Sequence, residues 1–171
     1  MWSLISVFFD VVLHRRGPEA LPASQAWLRG ALVAYGLVLL ATLSVVPTTQ
    51  ARLIAIVVHP IVDIAALYLL LELVNQREKF LQVATAAFGT AVILNVLALP
   101  ILYWREALAA SPEQTAGPNL LLLVLFFWSL DVLGFIVSRA IARPYIVGLA
   151  IVVVYELTSI AVVEAISPAA G

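Results

Sequence analysis

Cysteine is absent from the 171 residues. This excludes a disulfide framework, a thiolate metal site and a cysteine nucleophile. Charge is scarce as well, at 11% of residues against about a quarter in soluble domains. The formal net charge of -1 and the lack of a basic stripe argue against nucleic acid as a partner. Catalytic signatures are also missing: there is no Gly-x-Ser-x-Gly elbow, no His-Glu-x-x-His pair and no Walker loop. Ser24 and Ser111 fall in loops without a basic partner. His14 and His59 are the two histidines, too few for an obvious metal set. Neither enzymatic activity nor a cofactor or metal is expected.

What remains is apolar. Hydrophobic residues make up 64% of the chain and the mean hydropathy is +1.10, far outside the soluble range. The expected fold is an all-α integral membrane protein, a single membrane domain over residues 1–171. Residues 2–13, "WSLISVFFDVVL", are too short to cross a bilayer, which takes roughly 20 residues. Ser3, Ser6, Asp10 and His14 form a narrow helical stripe there, as in a short amphipathic helix (2–14) that lies in the interface or re-enters it. Arg15 and Arg16 follow this apolar stretch, the reverse of a signal peptide, so none is expected.

After a Gly17-Pro18 turn, Ser24 is placed to cap the next helix. Five transmembrane helices are expected, over about 25–46 (closed by Pro47), 51–74, 80–103, 120–138 and 145–166. "NQREK" separates the second and third. "REALAASPEQTAGPN" reads as a long irregular loop, and Pro144 suits the first turn of the last helix. Arg15, Arg16, Arg29, Arg77, Lys79, Arg139 and Arg143 fall on one side of this layout, and Arg52 and Arg105 on the other. By the positive-inside rule the N-terminus is cytoplasmic and the C-terminus outside. Trp27, Tyr103 and Trp104 sit where interfacial belts belong. No internal repeat is evident, which weakens an inverted-repeat transporter.

Three acids lie near the middle of expected spans: Asp63, Asp131 and Glu156. A charge there costs ~2.5–3.5 kcal/mol on insertion scales, and no lysine or arginine lies at the same depth. Arg52, Ile56, His59 and Asp63 share a helical face, with Pro60 a candidate kink. Asp131, Gly134 and Ser138 form a second stripe. Gly148, Val152, Tyr155 and Ser159 form a third, with Glu156 beside it. Thr85, Gly89 and Asn95 add small and polar groups to the middle span. Such faces are expected to meet inside a bundle. The intramembrane polar cluster is therefore His59, Asp63, Asn95, Asp131, Glu156 and Ser159. One account makes it interhelical glue with largely protonated acids, a second makes it a proton or cation path, and a third makes it a contact with a partner's membrane helices. An aspartate pair for intramembrane proteolysis, Asp63 with Asp131, lacks the Gly-x-Gly-Asp context such sites carry.

A short amphipathic N-terminal segment, the Gly-Pro in "RRGPEALPAS" and five spans running in to out resemble the Yip1 domain. The resemblance implies that layout for most of the chain. Eukaryotic members carry Asp-Leu-Tyr before the Gly-Pro, whereas His14-Arg15-Arg16 stands here, so their Rab-binding role is not implied. The alanine-rich, lysine-poor composition fits a GC-rich bacterial genome and hence a bacterial inner (plasma) membrane protein with a periplasmic C-terminus. The expected role is a multi-pass scaffold or accessory protein acting through helix–helix contacts. Its partners would be the lipid bilayer, a further copy of itself or another membrane protein. The alternative is a small transporter or channel using the midplane carboxylates as a relay.

Overall fold

A computed structural model describes residues 2–45 and 50–166, and side chains over 5–45, 58–111 and 113–161. Pro47, Val46 and the side chains of Ser3, Arg52 and Ile56 lie outside them. The described residues are all-helical: α1 (Trp2–Val12), α2 (Gln25–Val45), α3 (Gln50–Leu73), α4 (Phe80–Ala107), α5 (Ala116–Ala140) and α6 (Tyr145–Ile166). Short 3-10 turns occupy Pro18–Ala20, Arg77–Lys79 and Pro112–Thr115. Three helical stretches are long and apolar enough to cross a membrane, Gln25–Val45, Arg77–Ala107 and Glu113–Ala140, and Tyr145–Ala161 is a shorter apolar one.

The expected long irregular loop is mostly helix. α4 continues to Ala107, α5 already begins at Ala116, and a 3-10 turn fills half of the gap. Pro118 does not prevent this, because it falls in the first turn of α5, where a missing N–H leaves no intrahelical bond unmade. Pro60 and Pro100 lie inside α3 and α4, whose helices continue through them.

α4 is the hub. It packs on α2 and α5 and also touches α1 and α3. Its sequence explains this, since Ala84, Thr85, Ala86, Gly89 and Thr90 are all buried and let neighbours approach closely. Close van der Waals packing between these small residues carries the association. The α5–α6 pair uses the same device. A Cβ at Gly148 would overlap the Gly134 carbonyl oxygen and lie 2.6 Å from Ser138 Cβ, and one at Gly134 would lie 2.9 Å from Leu149 Cα. The two small-residue stripes seen in the sequence therefore meet backbone to backbone.

α1 is wedged against the bundle. Val7, Val11 and Val12 are buried, while Ile5, Phe9 and Leu13 face outward. The Phe8 ring fills the space above Gly89, nine residues inside α4 and so about 14 Å along its axis from Phe80.

Three helices end alike. His14, Asn75 and Ala142 adopt left-handed φ of 57°, 56° and 52°. The following amides reach back five residues: Arg15 to Asp10, Gln76 to Leu71 and Arg143 to Ser138 carbonyls, at 2.7, 2.8 and 3.0 Å. These are Schellman closures built without glycine. Lys79 Nζ adds a bond to the Ala140 carbonyl at 3.2 Å, satisfying one more carbonyl at the end of α5.

Candidate functional site

A cavity of about 270 Å³ lies between α2, α3, α4, α5 and α6, near the middle of each. α3 contributes Asp63, α4 Thr90 and Asn95, α5 Ser129, and α6 Tyr155 and Glu156. Tyr35 of α2 closes one side, its ring edge-on to Phe88 with centroids 5.3 Å apart. The rest of the wall is apolar, including Leu67, Leu94, Val132 and Leu133, and no lysine or arginine among the described residues lines it.

The hydrogen bonds have a consistent sense. The Tyr155 hydroxyl donates to Asp63 Oδ1 and ties α6 to α3. Thr90 donates to the Ala86 carbonyl at 2.8 Å, Asn95 Nδ2 to the Ala91 carbonyl at 2.8 Å, and Ser129 to the Phe126 carbonyl at 2.7 Å. Each of the last three bonds stays within its own helix, where a preceding carbonyl is the nearest acceptor. Glu156 has no hydrogen-bond partner among the described residues, and no occluded side-chain nitrogen or oxygen there lacks one. The Glu156 carboxylate is therefore open.

Of the six residues singled out in the sequence, Asp63, Asn95 and Glu156 line this cavity. His59 and Ser159 meet close by, with Ser159 Oγ 3.4 Å from His59 Nδ1. His59 and Asp63, which share a face of α3, each reach across to α6. Asp131 corrects the expectation most clearly. Ser129 and Leu133 face the cavity, and Asp131 is two residues from each, about 200° around the helix. It turns the other way, accepting the Tyr145 hydroxyl at 2.5 Å and lying 3.2 Å from His14 Nε2. The His14 ring stacks on Phe135, one turn along, with centroids 4.4 Å apart. Asp63 and Asp131 thus do not form a catalytic pair.

Tyr35 and Ser129 were not anticipated, although a tyrosine in mid-span is itself a polar signal. His14 was visible on the α1 stripe, but its pairing with a residue so distant in the chain was not. No group of three or more His, Asp or Glu side chains arranged to hold a metal occurs among the described residues.

A second, more open hollow of about 390 Å³ lies at one end of the bundle, lined by His14, Arg15, Arg16, Glu19 and Arg139 among others. Its charges are largely paired: Glu19 bonds Arg139, and Arg16 lies 3.2 Å from Asp10. Burial alone would raise the Glu19 carboxyl. The Arg139 bond and charge, helped by Lys79, outweigh that and hold it below its ordinary value.

Comparison adds no relative to this geometry. No protein-family model, curated protein or solved structure matches the chain.

Proposed function

We propose that this chain is a small multi-pass membrane protein that conducts or transports a cation through its central cavity. The observation that carries this is the cavity's charge. Two carboxylates from different helices, Asp63 and Glu156, face one space that no basic side chain among the described residues lines. Intramembrane acids without a basic partner mark ion or proton paths more readily than structural contacts. The layout proposed with it has five spans, with α3 and α6 joining the three stretches of sufficient length and apolarity. The proposed orientation is N-terminus in and C-terminus out, in a bacterial inner membrane with a Yip1-like order of elements. α1 is a re-entrant helix in this arrangement, consistent with its two apolar faces, one on the bundle and one outward.

Reconstitution into liposomes with a pH-sensitive or sodium-sensitive dye inside tests the proposal. Flux above empty liposomes, reduced by Glu156→Gln and Asp63→Asn, is the expected result. No flux of proton, sodium, potassium or organic ammonium ions under any gradient would refute it.

The scaffold role expected from composition keeps one specific support. Val33, Leu37 and Leu40 form an apolar ridge along α2, each at least 60% exposed, on which another helix can pack in place of lipid. Purification from native membranes with a stoichiometric partner, together with an absence of flux, would favour that role.

A further inference from the structure

From the balance of donors and acceptors in the central cavity, we infer that its ligand is a small organic ammonium, an N–H-bearing cation with an apolar body. The inference rests on the cation reading of the cavity and names the chemical class.

Among the described residues the cavity leaves few donors free, the Tyr35 hydroxyl and the second Nδ2 hydrogen of Asn95. Thr90, Asn95 and Ser129 direct theirs to carbonyls of their own helices, and Tyr155 directs its hydroxyl to Asp63. Free acceptors outnumber the free donors: both Glu156 oxygens, Asp63 Oδ2 and Asn95 Oδ1. A ligand complementary to this wall brings positive charge and several N–H groups, which an ammonium does and an alcohol or a carboxylate does not. The apolar lining and the Tyr35–Phe88 edge supply the other half of the match, burying a hydrocarbon body beside rings that favour a cation.

A bare metal ion fits less well. Sodium or calcium needs a shell of several oxygens, and no set of three or more acidic or histidine side chains converges among the described residues. A space of about 270 Å³ equals the liquid volume of about nine waters, which is room for an amine of one ring and a short chain.

The test uses the full chain in lipid nanodiscs and calorimetric titration with four probes: 2-phenylethylammonium, its N,N,N-trimethyl analogue, 2-phenylethanol and sodium chloride. The primary ammonium should bind. The trimethyl analogue, which keeps the charge but has no N–H, and the neutral alcohol should each bind about tenfold more weakly or worse, as the loss of charge-assisted bonds predicts. Glu156→Gln should weaken the ammonium by a similar factor. The probe series on the unaltered chain decides the matter even if that variant does not fold. Equal binding of the alcohol, or tighter binding of the trimethyl analogue, would overturn the inference. Glu156-dependent proton or sodium flux with no amine binding would also overturn it while leaving the cation-path reading intact. Amine binding without flux would uphold the ligand class and remove transport.

Discussion

Replacing Gly148 with alanine tests whether the α5–α6 contact is as close as its backbone geometry implies. The new Cβ would sit 2.6 Å from both Ser138 Cβ and Ser138 N, and would overlap the Gly134 carbonyl. Carbon atoms prefer about 3.5–4.0 Å, so α6 must retreat by roughly 1 Å at this level. A gap of that size forfeits a quarter to a half of each contact along the seam, and overpacking of this kind typically costs about 1–3 kcal/mol. Replacing a helical glycine also brings a propensity gain of about 0.5–1 kcal/mol, so the variant needs a control. Gly36 provides it, because a Cβ there meets nothing within 4 Å. Glycine-to-alanine gains cancel in the comparison. Gly148→Ala should therefore be less stable than Gly36→Ala by about 1–3 kcal/mol, measured by SDS-titrated unfolding in mixed micelles with far-ultraviolet circular dichroism. Gly134→Ala should add less to Gly148→Ala than it costs alone, since the first substitution already parts the helices. A difference below about 0.5 kcal/mol between the Gly148 and Gly36 variants, the range of an ordinary surface substitution, would refute the close approach.

The helix ends supply a second expectation. Ala142→Gly should stabilise the chain by about 0.5–1 kcal/mol, because a left-handed φ costs an ordinary L-residue about 1–2 kcal/mol and glycine far less. Asn75→Gly should gain less, since asparagine tolerates that region, and the same unfolding assay checks both. A double-mutant cycle on His14→Ala and Asp131→Asn should return a coupling of about 0.2–1 kcal/mol. Either single variant should also speed proteolysis within residues 2–16, whereas unchanged cleavage would mean that α1 is held by Val7, Val11 and Phe8 alone. Glu19, held below its ordinary value in the folded chain, contributes stability above its unfolded value near 4.5. That contribution is lost as pH falls through the lower folded value. Both partners are about half exposed, so it should stay under about 1 kcal/mol. Glu19→Gln should remove it from a stability-versus-pH curve.

How far the fold was legible depends on which coordinate of a helix the sequence encodes. Position along the axis is encoded well. The ends of α2, α3 and α6 fall within a residue or so of where apolar runs meet Pro, Gly or charge, and Gly134, Ser138 and Gly148 announce a close contact by their size. Rotation about the axis is encoded only where a side chain has one acceptable neighbour. Asp131 has the right depth to join Asp63 and Glu156, yet it faces the end of α1 and the start of α6, where His14 and Tyr145 give it partners that the cavity side does not. The loop around Ser111 fails differently: proline and glycine were read as breakers, although Pro118 in a first helical turn breaks nothing.

The cavity's polarity lies between these cases. That Thr90, Asn95 and Ser129 bond back to their own helices follows from local chemistry alone, since a short polar side chain in lipid finds a carbonyl three or four residues earlier before it finds anything else. Tyr155 escapes the rule, because its hydroxyl stands too far from its own backbone, and it reaches Asp63 on another helix. Given only the knowledge that these side chains face one space, an acceptor-rich and donor-poor interior follows. The fold therefore contributes the convergence, and residue chemistry contributes the sign of the charge it can receive.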